Sequence, residues 1–326
     1  MKKGRILSGM RPTGRLHLGN LLGALDNWVK LQDDYECYFS VVDWHALTTG
    51  YLDTNDIAND VNEMVIDWLS AGLDPKKCVI FKQSDVKEHA ELHLLFSMIT
   101  PLGWLERCPT YKEQLQQLES REISTYGFLG YPVLQAADIL VYKANTVPVG
   151  EDQIPHIELT REIARRFNHL YGEVFEEPKE RMNKITLLSG NDGRKMSKSY
   201  GNVLNMSDSP EIVTKYVANM ITDPQRIRKD DLGHPDVCSV FAYHKVFNTD
   251  ETQGIREECE GGKIGCVACK RNLTAKLLEF MNPIYERRIE ICKDPDIVSA
   301  VLEDGKVRAR KVAEATLNEV RAAMKI

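Results

Sequence analysis

The sequence predicts an α/β fold, a parallel sheet with crossover helices, followed by a helical C-terminal part. Two patterns carry that expectation. In the first part of the chain, short β-type runs alternate with stretches whose apolar residues recur at helical spacing. From about Ser207 the β-type runs fade and the helical pattern continues alone. The expected division is a sheet domain over 1–206 and a helical domain over 207–326.

Arg5-Ile6-Leu7-Ser8 reads as the first strand, closed by a turn that Gly9, Pro12 and Gly14 punctuate. Leu18, Leu21, Leu22, Leu25 and Val29 then share one helical face within 18–31. Cys37 to Val42 is almost continuously apolar, as a strand covered on both faces should be. A helix is expected over 53–69 and a third strand at Cys78-Val79-Ile80-Phe81. Pro132 stands early in a helix running to about Tyr142, where proline is tolerated. Val147-Pro148-Val149 gives a short strand ending in Gly150. Glu151 to Asn168 gives a helix supported by Glu158/Arg161 and Glu162/Arg166.

Composition limits the function classes. The chain has 326 residues, 43% apolar and 28% charged, enough to bury a sizeable core. No apolar run approaches the roughly 18 residues that span a bilayer. The basic start, Met1-Lys2-Lys3, precedes an apolar stretch too short for a signal peptide, so a cytoplasmic protein is expected. A net charge of -6 argues against an indiscriminate nucleic-acid coat. Locally the balance reverses. Between Gly261 and Lys293, seven Lys and Arg (263, 270, 271, 276, 287, 288, 293) stand against three Glu (279, 286, 290). That excess fits a solvated helix face or a surface turned to a polyanion.

Two segments carry phosphate chemistry. Gly9 to Asn20 joins a strand to a helix, which turns free backbone N–H groups and the positive helix end toward a phosphate. Gly19 lets a nucleotide approach the backbone closely, while His17 and Asn20 can donate to phosphate oxygens. Lys195-Met196-Ser197-Lys198-Ser199 follows the loop Gly190–Arg194 and reads as a mobile cationic clamp suited to departing pyrophosphate.

Together, His17-Leu18-Gly19-Asn20 and the 195–199 loop resemble the paired signatures of class I aminoacyl-tRNA synthetases, which implies a Rossmann-type catalytic domain. Asn at the fourth position of the first signature resembles the tyrosine/tryptophan branch. Three further segments, Val42 to Thr48, Tyr131 to Leu140 and Val147 to Leu159, resemble the tryptophanyl-tRNA synthetase family. That resemblance implies activation of L-tryptophan by ATP with Mg2+ and transfer to tRNA(Trp). It implies that Asp138 accepts the indole N–H, that Tyr131, Gln135 and Gln153 hold the α-amino group, and that His45 lies in the tryptophan site. It implies ATP contacts from Arg11, Pro12, Thr13, Gly19, Asn20, Gly150, Glu151, Asp152, Ile185, Lys195, Met196, Ser197, Lys198 and Ser199. Within that set His17, Asn20, Lys195 and Lys198 would act in catalysis, with Lys112 near the phosphates. Independently of resemblance, Tyr131, Gln135 and Asp138 are spaced by four and three, so they share one helix face. A homodimer is implied by the resemblance alone. Gln135 departs from the Met of many bacterial relatives and makes tyrosine the competing substrate. Outside this reading stand a non-catalytic tRNA-binding paralogue, which should have lost its lysine clamp, and another nucleotidyl-transfer enzyme.

Cys238, Cys259, Cys266 and Cys269 fall within 32 residues at spacing C-x20-C-x6-C-x2-C. A reducing compartment disfavours disulfides, so four thiolates point to structural zinc or an iron–sulfur cluster. A single close pair leans the reading to 4Fe-4S, and the arrangement resembles a subset of the same family bearing such a cluster. Cys37, Cys78, Cys108 and Cys292 are scattered and are expected to be buried small apolar residues.

Overall fold

The computed structural model describes residues 2–109, 111–112, 124–182, 188–228 and 230–326. Five parallel strands, β1 (Arg5–Met10), β2 (Glu36–Val41), β3 (Val79–Lys82), β4 (Thr146–Val149) and β5 (Lys179–Met182), lie in the order β3-β2-β1-β4-β5. The fifth strand, exposed throughout and polar save for Met182, gave no apolar signal in the sequence. Its charged side chains suit an edge that must not pair further.

Helical stretch α1 opens at Leu18–Asn20, passes through a π-turn at Leu21–Leu25 and continues as Asp26–Leu31. Then come α2 (Asp43–Gly50), α3 (Ile57–Ala71), α4 (Glu88–Ser97), α5 (Leu102–Glu106), α6 (Tyr126–Val141) and α7 (Ile154–Tyr171). The C-terminal part adds α8 (Pro210–Ala218), α9 (Ser239–Phe247), α10 (Thr252–Glu260), α11 (Cys266–Ile291) and α12 (Ile297–Met324). Two sequence expectations shift. Pro132 lies inside α6 rather than early in it, because Thr125 caps the helix by accepting the Phe128 N–H at 3.2 Å. Glu151–Gln153 form a 3-10 turn, and the long helix begins at Ile154 with Pro155 in its first turn.

Alternation along the strands divides the core into two layers. Ile6, Cys37, Phe39, Val41 and Ile80 face α1, α3, α8 and α11, whereas Leu7, Tyr38, Val79 and Phe81 face α4, α6 and α7. Helix α12 returns from the C-terminal part to lie along edge strand β3. Its Val298 and Val301 enter the first layer, and Ala309, Ala313, Leu317 and Val320 the second. Gly305 marks the crossing, where a Cβ would stand 1.7 Å from the Ile80 carbonyl oxygen. Among the described residues no helix is long and apolar enough to cross a membrane.

Candidate active site

The carboxyl ends of β1, β2 and β4 open into a cleft of about 300 Å³. It sits beside the β1–β4 pair, the point at which the strand order reverses and successive crossover loops part to opposite faces. Helix α6 forms one wall, and its Tyr131, Gln135 and Asp138 all line the cleft, as their spacing requires. His45 from α2, Arg11 from the loop after β1, and Gln153 and His156 from the β4–α7 junction complete it. Arg11 donates to the Ala46 carbonyl at 3.2 Å and to Thr49 Oγ1 at 2.5 Å, which ties the loop to α2.

Asp138 is the buried anion of this cleft, 4% exposed. Burial works to raise its pKa, but His89 and then His45 outweigh that penalty and hold the carboxyl well below the usual carboxylate range. Its Oδ1 lies 2.6 Å from His89 Nδ1, its Oδ2 2.9 Å from His45 Nε2, and the Gln83 amide donates to both oxygens at 2.8 Å. Nearby, the Tyr131 hydroxyl meets His156 Nε2 at 2.8 Å, and burial brings that imidazole down to about 4. His156 is therefore neutral near pH 7 and shares one hydrogen bond with the Tyr131 hydroxyl through Nε2. Among the described residues, Ser40 Oγ and His156 Nδ1, both on the cleft, are buried without a protein partner.

The two phosphate signatures meet beside the cleft rather than inside it. His17 bridges Asn205 in antiparallel fashion, with Leu18 N–H donating to the Leu204 carbonyl at 2.9 Å and Met206 N–H to Leu16 at 2.8 Å. The first signature is thus paired with the chain just beyond the second. Lys198 Nζ donates to the Thr13 carbonyl and approaches Gly14, whose φ of +73° and missing Cβ leave room for it. Burial lowers the pKa of Lys198, and burial followed by the Lys198 charge lowers that of His17. His17 Nδ1 is buried with no protein partner among the described residues, while Asn20 Oδ1 accepts the His17 N–H at 3.1 Å.

Within the second signature, Lys195 and Ser199 are exposed and Met196 is anchored in the core. Asn202 shapes the loop. Its side chain accepts the Ser197 N–H at 2.8 Å and donates to Asp192 at 2.8 Å and the Lys195 carbonyl at 3.1 Å. Glu151 and Asp152 stand exposed after Gly150 at the end of β4, and Asp152 accepts from the Gln153 amide at 2.7 Å. Pro12, Thr13, Gly19, Gly150 and Lys112 do not line the cleft, and Ile185 lies outside the described residues.

Gln83, His89, Tyr142, Asn202 and Asp67 were not singled out from sequence. A signal existed for two of them: Gln83 and His89 follow the apolar strand β3 at its carboxyl end, where open α/β sheets place ligands. Asp67 had none. This wholly buried carboxylate on α3 accepts the Leu16 N–H at 2.6 Å, Ser207 Oγ at 2.8 Å and Arg288 of α11 at 2.8 Å. It therefore ties both signatures to the C-terminal part.

The four clustered cysteines also converge. Cys238 precedes α9, Cys259 lies in α10, and Cys266 and Cys269 occupy the first turn of α11; all four line one small cavity. Burial, then the neighbouring thiols, pushes Cys269 up to about 12. Cys37, Cys78 and Cys108 are buried as expected. Cys292 is instead exposed, because it falls at the C-cap of α11 beyond the packed turns.

A switch-point cleft beside a cationic loop defines a nucleotide-using α/β enzyme. The family described as tRNA synthetases class I (W and Y) matches residues 1–282. A tryptophan–tRNA ligase from Thermotoga maritima is 53% identical, with 99% of each chain covered. The structure of tryptophanyl-tRNA synthetase from Campylobacter jejuni, complexed with ADP and tryptophan, superposes with a TM-score of 0.87 at 32% identity, covering 99% of this chain and 100% of that one. A tyrosyl-tRNA synthetase from Archaeoglobus fulgidus, at 20% identity and a TM-score of 0.66, shares the fold alone. The chain belongs to the class I tRNA synthetases of the W and Y type and, within them, to the tryptophan–tRNA ligases.

Proposed function

We propose that the cleft seats L-tryptophan with its indole N–H on Asp138, and that ATP lies across the two signatures. Indole is a donor only, and a buried ionised carboxylate is an acceptor only, so the pair match and a side chain without the N–H leaves the anion unsatisfied. Tyr131, Gln135 and Gln153 are read as holding the α-amino group, with His45 beside the ring. A substrate carboxylate oxygen attacks the α-phosphorus of ATP, the bond to the β-phosphate bridge breaks, and pyrophosphate leaves. A ribose hydroxyl of tRNA(Trp) then displaces AMP from the adenylate. No protein nucleophile is required; position and charge lower the barrier. His17, with a buried unpartnered ring nitrogen, and Asn20 serve the phosphates, and Lys195 and Lys198 stabilise the departing charge. Mg2+ accompanies ATP and shares that charge. Arg11 to Thr13, Gly19, Gly150 to Asp152 and the rest of the 195–199 loop are read as ATP contacts. The observation that carries this reading is Asp138, ionised and buried in the cleft wall. The test is amino-acid-dependent exchange of pyrophosphate into ATP. Exchange with tryptophan is expected, and exchange with tyrosine alone would overturn it.

We read the small cysteine cavity as the place of a 4Fe-4S cluster held by Cys238, Cys259, Cys266 and Cys269. A 4Fe-4S cluster takes four thiolates, and structural zinc on the same four is the alternative. Gly233 leaves a cradle there, since a Cβ would meet Cys259 Sγ at 2.4 Å. Arg226 lies 3.7 Å from Cys259 Sγ and His244 Nε2 3.4 Å from Cys269 Sγ, placed to donate to thiolates. When bound, the group would cross-link three segments of the 207–326 part, which we read as the tRNA anticodon side, with 1–206 as the catalytic part. We read the protein as a homodimer, a state that light scattering reads; exposed Leu94 on α4, Met98 at its C-cap, Leu102 on α5 and Tyr126 on α6 are apolar surface that a partner could cover.

A further inference from the structure

We propose that His89, braced by Tyr142, is a positioning residue that fixes the Asp138 carboxylate for indole and thereby sets the enzyme's preference for a ring N–H. The inference rests on the reading of Asp138 as the indole partner. It starts from an asymmetry around that carboxylate. Gln83, His89 and Tyr142 are fully buried and do not line the cleft, whereas His45 and Asp138 do. Three of the four hydrogen bonds to Asp138 therefore come from behind, two from Gln83 and one from His89. Only His45 approaches from the substrate side, on Oδ2.

Both ring nitrogens of His89 are engaged. Nδ1 is 2.6 Å from Asp138 Oδ1 and Nε2 is 2.7 Å from the Tyr142 hydroxyl. An ionised carboxylate cannot donate, so Nδ1 carries the proton and donates to it. The Tyr142 hydroxyl holds the ring at its far nitrogen. Tyr142 is in turn fixed by stacking on Tyr38 with centroids 4.7 Å apart and an edge contact to Phe81 at 5.4 Å. The ring therefore has one orientation, and so does the carboxylate it addresses. Burial, with the Asp138 charge after it, pushes the Tyr142 phenol well above its ordinary value, so its proton stays in the relay. A carboxylate pinned on Oδ1 by a rigid donor keeps Oδ2 on the cleft side, where His45 meets it and where an indole N–H would take over or share that contact. Without that donor it can rotate toward His45 or take up a proton, and a ligand lacking the N–H is then penalised less.

The experiment compares tryptophan with benzothienylalanine, the analogue with sulfur in place of the indole N–H, in pyrophosphate exchange. The variants are His89→Leu, His89→Asn, Tyr142→Phe and Asp138→Asn, each confirmed as folded by circular dichroism. His89→Leu is expected to raise the KM for tryptophan roughly tenfold or more, with a smaller effect on kcat, and to narrow the ratio between the two substrates. His89→Asn keeps a donor near the Nδ1 position and should recover part of the ratio; Tyr142→Phe should fall between. A His89→Leu enzyme with unchanged KM and ratio, while Asp138→Asn collapses the ratio, overturns the role of His89 alone. Equal losses in the Leu and Asn variants also overturn it, since side-chain volume rather than the donor would then matter. A ratio untouched by Asp138→Asn overturns the Asp138 reading itself.

Discussion

Replacing Arg288 by Met removes what is, among the described residues, the only cation hydrogen-bonded to Asp67, a carboxylate with no exposure. Asp67 would keep the Leu16 N–H at 2.6 Å and Ser207 Oγ at 2.8 Å, both neutral donors, and lose the guanidinium at 2.8 Å. Glu63, 2.6 Å from the other guanidinium nitrogen, would lose its partner as well, but it is partly exposed and water can replace the loss. Breaking a buried pair from one side costs about 3–5 kcal/mol, because the remaining charge stays desolvated. For a chain of this size that corresponds to a drop of roughly 4–7 °C in Tm. The pH dependence has a definite sign. Burial already raises the Asp67 carboxyl above its ordinary value against the pull of Leu16, Arg288 and Ser207. A carboxyl raised on folding costs stability above its folded pKa and nothing once protonated. Without Arg288 the pKa rises further. The deficit relative to the parent should therefore be full above that raised value and shrink as the pH falls through it. Adding Asp67→Asn should restore much of the loss. Differential scanning calorimetry between pH 5 and 8 reads all three effects. A melt within a degree of the parent, or a deficit that does not change with pH, would refute the reasoning. Since Leu16 precedes His17 and Ser207 follows the lysine loop, the same variant should also raise the KM for ATP.

Lys198→Ala should lower the rate of pyrophosphate exchange by about 10²–10³-fold while equilibrium binding of tryptophan changes little; equal losses in both would contradict its role at the phosphates. Cys266→Ser should abolish bound iron and visible absorbance in protein purified without oxygen, with Cys37→Ser retaining both, and unchanged iron in Cys266→Ser would sink the cluster. Gly305→Ala should destabilise by about 3 kcal/mol or more, read by chemical denaturation, because α12 must lift from the β3 backbone to admit a Cβ placed 1.7 Å from Ile80 O.

Much of the architecture was legible because its determinants are local. The apolar runs of β1, β2 and β3, the heptad-like face of α1 and the spacing of Tyr131, Gln135 and Asp138 each depend on residues a few positions apart. Strand β5 was missed because Lys-Glu-Arg-Met at a sheet edge carries no burial pattern, and the start of α6 because a single Thr cap lies six residues before the region that drew notice. The two phosphate signatures and the four-cysteine window were likewise complete in the sequence, since each is defined by residue type and spacing within a short segment.

Tertiary structure alone decided what surrounds them. Asp138 draws His89 from 49 residues away, Gln83 from 55 and His45 from 93, pairings that strand order sets and local spacing cannot express. Asp67 joins Leu16, Ser207 and Arg288 across as many as 221 positions, and α12 crosses back over an edge strand laid down more than 200 residues earlier. The sequence determined which groups were present to do chemistry. The fold determined which of them were buried together, and the imidazoles buried beside Asp138, not burial itself, keep a carboxylate on a helix ionised and fixed in one orientation.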